Sequence, residues 1–338
     1  MTDPSVSVLL PVRDAAPWLE DCLDSLARQT LAEYEVVAVD DGSRDSSIAI
    51  LDRRSAADPR IRVIRQEPHG LVAALNRGLD ACRAPLVARM DADDISHPRR
   101  LELQAAMLAA LPGVGVLSCL VRHFPRSAVA EGFRLYEGWL NSLADHGDMA
   151  RERFVESPLA HPSAMVRREH LVENGGWRDV GWPEDYDLWL RLFETGVGFA
   201  KVDRPLFFWR EHGHRLTRTD PRYSVPSFLA CKAHYLACGP LAAAERIILW
   251  GAGQTGRRLS KLLLEAGIAI EAVVDIDPAK IDRTLRGIGV ISPDELAAHL
   301  TEDTIVLAAV ASRGARELIR ERLVDLGLVE GQTFWCAA

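Results

Sequence analysis

Through the first third of the chain, short apolar runs alternate with segments whose apolar positions recur at helical spacing. Val6-Ser7-Val8-Leu9-Leu10 reads as a strand stopped by Pro11. Asp14 is a candidate N-cap, Pro17 falls in the first turn after it, and Trp18, Leu19, Cys22, Leu23 and Leu26 line one helical face. Glu35 to Val39 is a second strand, ending in Asp40-Asp41-Gly42-Ser43. Asp45 or Ser46 opens a helix through Ile48, Ile50 and Leu51, and Ile61 to Ile64 is a third strand. Gly70 precedes a helix carrying Leu71, Ala74, Leu75 and Leu79. Leu86-Val87-Ala88 is a strand running into Arg89-Met90-Asp91-Ala92-Asp93-Asp94. This alternation predicts right-handed βαβ units and a mostly parallel sheet. Ligands on such sheets collect beyond the carboxyl ends of the strands. Pro11-Val12-Arg13, Asp40-Asp41 and the acidic run are therefore expected along one sheet edge.

The last third repeats the pattern after a break. Pro221, Pro226, Gly239 and Pro240 flank a helix from Phe228 to Cys238, which reads as a connector. Arg246 to Trp250 is a strand entering Gly251-Ala252-Gly253-Gln254-Thr255-Gly256, followed by a helix through Leu259, Leu262, Leu263 and Leu264. Ala272-Val273-Val274-Asp275 is a strand with an acidic end, Thr304 to Val310 another, and Thr333 to Cys336 a short last one. A strand, a GxGxxG turn and a helix followed by a carboxylate form the dinucleotide-binding pattern, with Gly251, Gly253, Gly256 and Asp275 as its candidate residues. The same glycines also serve a tight turn and close helix–strand packing, and too little chain follows for a full dehydrogenase. The expectation is three parts: an α/β domain over 1–220, a helical linker over 221–244, and a small Rossmann-like accessory domain over 245–338. NAD(P) is not expected as a resident cofactor.

Composition narrows the classes. At 338 residues, with 48% hydrophobic residues, the chain can fill two cores. A formal net charge of -8 argues against a nucleic-acid binder. No apolar run reaches the ~20 residues that span a bilayer, and the N-terminus lacks a signal-peptide pattern. The six cysteines show no paired spacing and read as small buried hydrophobes in a reducing compartment. A cytoplasmic protein is expected, with at most peripheral contact at the inner face of a membrane, and self-association is left open.

Three carboxylates gathered where a strand ends are costly unless a cation neutralises them. Oxygen-rich sites of this kind suit Mg²⁺ or Mn²⁺, which accept one or two carboxylates plus a substrate's phosphates. Asp94 either joins Asp91 and Asp93 or caps the helix that Pro98 opens, and the cap is preferred. In Trp182-Pro183-Glu184-Asp185-Tyr186-Asp187-Leu188-Trp189, helical periodicity begins at Asp187, so Glu184 and Asp185 fall at a helix N-terminus, where the dipole favours carboxylates.

Over residues 5 to 220 the chain resembles a family 2 glycosyltransferase of the GT-A type. The matching pieces are Val6 to Arg13, Val39 to Asp45, Gly70 to Leu79, Asp91 to Asp94, His161-Pro162-Ser163, Glu184 to Trp189 and Trp209-Arg210-Glu211-His212. Arg13 stands where the family usually has Asn, and Trp209 where it usually has Tyr. The fold this implies is α/β: a GT-A domain with a Rossmann-like mixed sheet, followed by the small Rossmann-like domain. The resemblance implies an inverting, metal-dependent transfer of a sugar from a nucleotide-diphosphate donor, with UDP favoured, to a saccharide or lipid-linked acceptor hydroxyl. It assigns Asp41 to the base, with Pro11, Val12 and Arg13 in the same pocket. Asp91 would face the ribose or metal-bound water, and Asp93 would bind the metal with His212 as a further ligand; His214 is the neighbouring alternative. Asp185 would be the general base, ionised at neutral pH through the helix terminus. Glu184, Trp182 and His161 are acceptor-side candidates, although His161 equally suits a hydrogen-bonded structural role. Residues 122 to 157, with Phe133, Tyr136 and Trp139, fall where the family varies and acceptors are read. The rival readings are an NAD-linked sugar-modifying enzyme and a non-catalytic nucleotide-sugar sensor or scaffold.

Overall fold

The computed structural model describes residues 3–338, which divide into two compact units. The first comprises residues up to 149, with 158–180 and 187–219. Its elements are β1 (Val6–Val12), α1 (Ala16–Ala27), β2 (Tyr34–Asp41), α2 (Ser47–Ala57), β3 (Ile61–Gln66), α3 (Leu71–Ala81), β4 (Leu86–Arg89), β5 (Ile95–Ser96) and α4 (Arg100–Ala110). There follow β6 (Val114–Phe124), α5 (Glu131–Ser142), α6 (His146–Glu152), β7 (Met165–Arg167), α7 (Arg168–Glu173), α8 (Glu184–Glu194), β8 (Gly198–Arg210) and α9 (Leu216–Thr219). Helices α6 and α8 each cross the boundary between the units.

The strands form one eight-stranded sheet in the order β3-β2-β1-β4-β7-β6-β8-β5. Strands β1 to β4 pair in parallel, β7 runs antiparallel to both β4 and β6, and β5 runs antiparallel to β8. The sheet is thus mixed beyond β4, where the simple alternation of the sequence ends. Apolar side chains alternate between its two faces. Val8, Leu10, Val36 and Ala38 pack with Leu19, Leu23 and Leu26 of α1. Leu9, Val37 and Val39 pack with Leu75 and Leu79 of α3. Gly78 lets α3 approach, because a Cβ there would stand 2.1 Å from a Leu9 methyl.

Two local expectations change. Strand β1 runs through Pro11 to Val12. Its pairing with β4 ends at Leu9, so at Pro11 only the β2 side carries a ladder and the missing N–H costs little. Asp14 does not cap α1: it sits at φ 49, and its carboxylate accepts from the Arg44 backbone N–H. The start of α1 is answered from the β2–α2 loop and the first residue of α2, with Asp45 accepting from Ala16 N–H and Ser47 Oγ from Ala15 N–H.

The second unit comprises residues 150–157, 181–186 and 220–338. Its elements are α10 (Val225–Cys238), β9 (Arg246–Trp250), α11 (Gln254–Glu265), β10 (Ala272–Val274), β11 (Thr284–Leu285), β12 (Ile288–Ile291), α12 (Leu296–His299), β13 (Thr304–Ala308), α13 (Ala315–Asp325) and β14 (Phe334–Cys336). Six strands order as β11-β12-β10-β9-β13-β14, parallel except for the β11–β12 hairpin. Helix α10 starts three residues earlier than expected, with Ser224 accepting from Ser227 N–H as its cap, and β13 ends two residues earlier. Residues 150–157 are fastened inside this unit by buried charge. Glu152 pairs with Arg316 and Arg320 of α13, and Lys232 of α10 donates to the carbonyls of Val155 and Ala337. Among the described residues no helix is long and apolar enough to cross a membrane.

Candidate active site

The register of the parallel strands builds the site of the first unit. Val12 pairs with Asp40 across β1 and β2, and Leu9 with Arg89 across β1 and β4. The ends of all three strands, and the loops leaving them, therefore lie along one edge. Asp41, buried at the end of β2, has both oxygens engaged. Oδ1 accepts from Gln66 Nε2 and His69 N–H at 2.8 Å each, and Oδ2 from Gly70 N–H at 2.9 Å and Arg13 Nη1 at 3.2 Å. Those contacts fill the four acceptor positions of a carboxylate.

After β4 the chain turns through Asp91, Asp93 and Asp94, whose side chains each bring an oxygen within 4.8 Å of the others. Asp91 accepts from Nη2 of buried Arg89 at 2.6 Å. Asp93 Oδ2 meets His212 Nε2 at 2.7 Å. Asp94 is fully buried, its Oδ1 accepting from Arg210 N–H at 2.7 Å while Oδ2 has no hydrogen-bond partner. Helix α4 begins at Arg100, and Asp94 gives it no cap. The preference for a capping Asp94 is corrected: the residue belongs to the acidic turn, because Arg210 at the end of β8 reaches its oxygen first.

Burial raises the pKa of Asp91 against the opposing charge of Arg89, and raises that of Asp94 well above the carboxylate range, with Asp93 and Asp91 adding to it. Burial and the same three carboxylates push the Cys22 thiol up. Negative charge is thus concentrated where the protein supplies too little positive charge. Arg210 holds the turn with Nε on the Asp93 carbonyl at 2.7 Å and Nη2 on Asp21 at 2.9 Å. Three hard oxygen donors, one of them orphaned and buried, beside one imidazole fit a divalent cation of the Mg²⁺ or Mn²⁺ type.

His212 lies in the segment after β8. Its ring stacks on the Trp18 indole at 4.0 Å and 21°, and its Nδ1 accepts from His214 N–H at 3.2 Å. Periodicity placed Trp18 in the core stripe of α1; it is half-buried and faces His212 instead. His161 is buried between Trp177 and Trp189, with Nε2 accepting from the Trp177 indole N–H at 3.0 Å. Burial drives its pKa well below the usual histidine range.

In the second unit, Glu184 and Asp185 open α8, which starts three residues ahead of the expected start at Asp187. Tyr223 donates to Glu184 at 2.8 Å. Trp182 packs its ring on His234 at 5.3 Å. Asp185 does not have the low pKa expected of a helix terminus. Burial, then the adjacent Glu184 charge, pushes it up to about 8, and the backbone N–H of Tyr186 only partly offsets them.

The glycine turn of this unit is closely packed. Gly251 has φ 125, and a Cβ on Gly256 would stand 1.8 Å from the Gly251 carbonyl oxygen. A Cβ on Gly253 would meet nothing within 4 Å. Asp275 is turned inward: it accepts from Ala252 N–H at 2.7 Å and Asp277 N–H at 2.9 Å, and pairs with Lys280 at 3.2 Å.

The model of glycosyl transferase family 2 matches residues 7–175, spanning β1, the Asp41 pocket, the acidic turn and His161. The chain belongs to this family. It is a glycosyltransferase, and its first unit has the GT-A fold. The transferase is 32% identical over 199 residues to the amylovoran biosynthesis glycosyltransferase AmsE of Erwinia amylovora, covering 59% of this chain and 72% of the relative. It is 30% identical to the putative glycosyltransferase EpsE of Bacillus subtilis, over 70% of this chain and 82% of that one. The amino-terminal part of S. aureus TarS, solved with UDP-GlcNAc, superposes with TM-score 0.54 at 17% identity, covering 77% of the transferase and 71% of that chain. Residues 243–333 match a second family, C2185-like, N-terminal.

Arg89, Arg210 and Trp18 have structural partners in the site that the sequence reading did not assign. Arg89 and Arg210 stand inside the acidic run and the Trp209–His212 segment, but only their partners reveal what they do. Trp18 gave the wrong signal, because an aromatic at helical spacing reads as core.

Proposed function

We propose that the enzyme moves a sugar from a UDP-sugar to an acceptor hydroxyl, with inversion at the anomeric carbon and with a divalent cation. The observation that carries this reading is the acidic turn: three converging carboxylates with one buried oxygen unpartnered. Asp93 and His212 would hold Mn²⁺ or Mg²⁺, with Asp91 and the unpartnered Asp94 oxygen beside it, and the ion when bound would supply Lewis-acid neutralisation of the leaving diphosphate. Asp41 would accept from the base N–H. Of its four present contacts, that of half-exposed Arg13 is the longest, and is the one a base can replace. Pro11 and Val12 would line the same pocket. Uracil is favoured because TarS, a protein of the same fold, was solved with UDP-GlcNAc.

Asp185 would take the proton of the acceptor hydroxyl as it attacks. A single displacement needs one such base and no covalent nucleophile. The acceptor, a saccharide or a lipid-linked sugar, would be read by residues 122–157, whose α5 carries Phe133, Tyr136 and Trp139. For residues 245–338 we propose an accessory role in packing or assembly. The inward-turned Asp275 favours this over a dinucleotide site, since the carboxylate that would meet a ribose already braces the glycine turn.

A thermal-shift panel of UDP- and GDP-sugars with Mn²⁺ tests the donor reading. A ligand at 100 times its Kd stabilises the folded state by about 2.7 kcal/mol. A UDP-sugar should raise the unfolding temperature with Mn²⁺ present, and Asp93→Ala should remove the metal-dependent part. Equal shifts with and without chelator would sink the cation's role.

A further inference from the structure

Helix α1 faces the acidic turn with Trp18, Asp21 and Cys22, which lie one helical turn apart and so share a side. Each reaches a different part of the site. Trp18 stacks on the His212 ring, Asp21 pairs with Arg210, and Cys22 donates to the Asp91 carbonyl at 3.4 Å. Asp21 and Cys22 hold backbone or a bridging arginine. Trp18 alone among the three touches a side chain that would face the cation.

His212 follows the last residue of β8 by two and belongs to no helix or strand. Glycine follows it, so the local backbone constrains the ring little. What fixes the imidazole is the indole face at 4.0 Å on one side, the Asp93 oxygen at its Nε2 tip and the His214 N–H on its Nδ1, and of these the indole alone holds the plane of the ring. A ring left to its own rotamers would spend much of its time turned away from Asp93, and ordering it on cation binding would cost free energy. A large indole that is only half-buried, outside the core of α1, is otherwise an uneconomical use of apolar surface.

We infer that Trp18 is a positioning residue that holds the His212 imidazole toward Asp93, so that part of the cation affinity of the acidic turn resides in an aromatic contact outside the ligand set. This rests on the proposed cation site. Residues that orient metal ligands from behind typically change affinity by about 10–100-fold when removed.

The test measures Mn²⁺ binding to the full chain without substrate, by the paramagnetic resonance signal of free Mn²⁺. Trp18→Leu keeps an apolar side chain but removes the ring face, and should weaken binding about tenfold. Trp18→Phe keeps a ring and should retain more affinity than Trp18→Leu. In a His212→Ala background, Trp18→Leu should cost nothing further, because its effect passes through His212. Circular dichroism and thermal unfolding check that each variant is folded; if Trp18→Leu is not, the same comparison is made with Trp18→Met, which also lacks the ring. Wild-type affinity in the folded ring-altered variant, or a loss that persists undiminished in the His212→Ala background, overturns the inference while leaving the cation site intact. No Mn²⁺ binding by the wild type, or binding unaffected by Asp93→Ala, overturns the cation reading and this inference with it.

Discussion

At the scale of single residues, Asp185 carries the clearest consequence. A general base must be ionised, yet burial and the Glu184 charge hold this carboxyl at about 8. If Asp185 is the base, kcat/KM should climb through neutral pH and level off above about 8. Asp185→Asn should lower turnover by ~10²–10⁴-fold. Glu184→Gln removes the second cause of the shift but not the first, so it should move the rising limb to lower pH without abolishing it. A wild-type profile flat from pH 6 to 9 would place the base elsewhere. Stability follows the same proton with the opposite sense. The folded carboxyl keeps its proton up to about pH 8, while an unfolded one loses it near 4. The contribution is therefore fully present below the unfolded value and fades as pH rises toward 8. Urea unfolding of Asp185→Asn should show a weaker decline over that interval than the wild type.

At the scale of elements, strands and helices of the first hundred residues follow from apolar spacing, because the central strands are short apolar runs buried on both faces and each helix between them turns one apolar face to the sheet. Their ends follow less well. Asp14 has the right residue type for a cap, but the N–H groups at the start of α1 are met by Asp45 and Ser47 from the start of α2. Gly78 is a case where intrinsic preference and packing disagree. Alanine is the better helix former by about 1 kcal/mol, yet its Cβ would stand 2.1 Å from a methyl of fully buried Leu9. Overpacking a close-packed core typically costs about 1–3 kcal/mol. Gly78→Ala should therefore destabilise the enzyme by about 1 kcal/mol net, read as a lower urea midpoint with unchanged slope. A higher midpoint would mean that Leu9 moves aside at little cost.

At the scale of the whole molecule, the second unit depends on a few buried charges that draw together residues far apart in sequence. Glu152 is 4% exposed and is held by Arg316 and Arg320, with Glu330 also on Arg320. Removing one partner of a buried ion pair costs about 3–5 kcal/mol, and the part-exposed arginines reduce that to about 2 kcal/mol here. Glu152→Ala should lower the unfolding midpoint accordingly, while Glu302→Ala, at an exposed position, should not. Equal midpoints for the two variants would show that residues 150–157 are held by their apolar contacts alone.

The sequence by itself determined the alternation of strand and helix, the gathering of Asp41, Asp91 and Asp93 at strand ends, and the family. These depend on local periodicity and on short runs whose chemistry is carried by neighbours in the chain. Tertiary structure decided that the sheet turns mixed at β7, just after β4, that Asp94 is drawn to Arg210, and that Trp18 turns from the core to His212. It also decided that burial outweighs the helix terminus at Asp185, and that residues 150–157 and 181–186 pack with a unit formed mostly by the end of the chain. Each of these depends on which distant groups share a small volume, and on how much water is excluded from it, and neither quantity is carried by residue spacing.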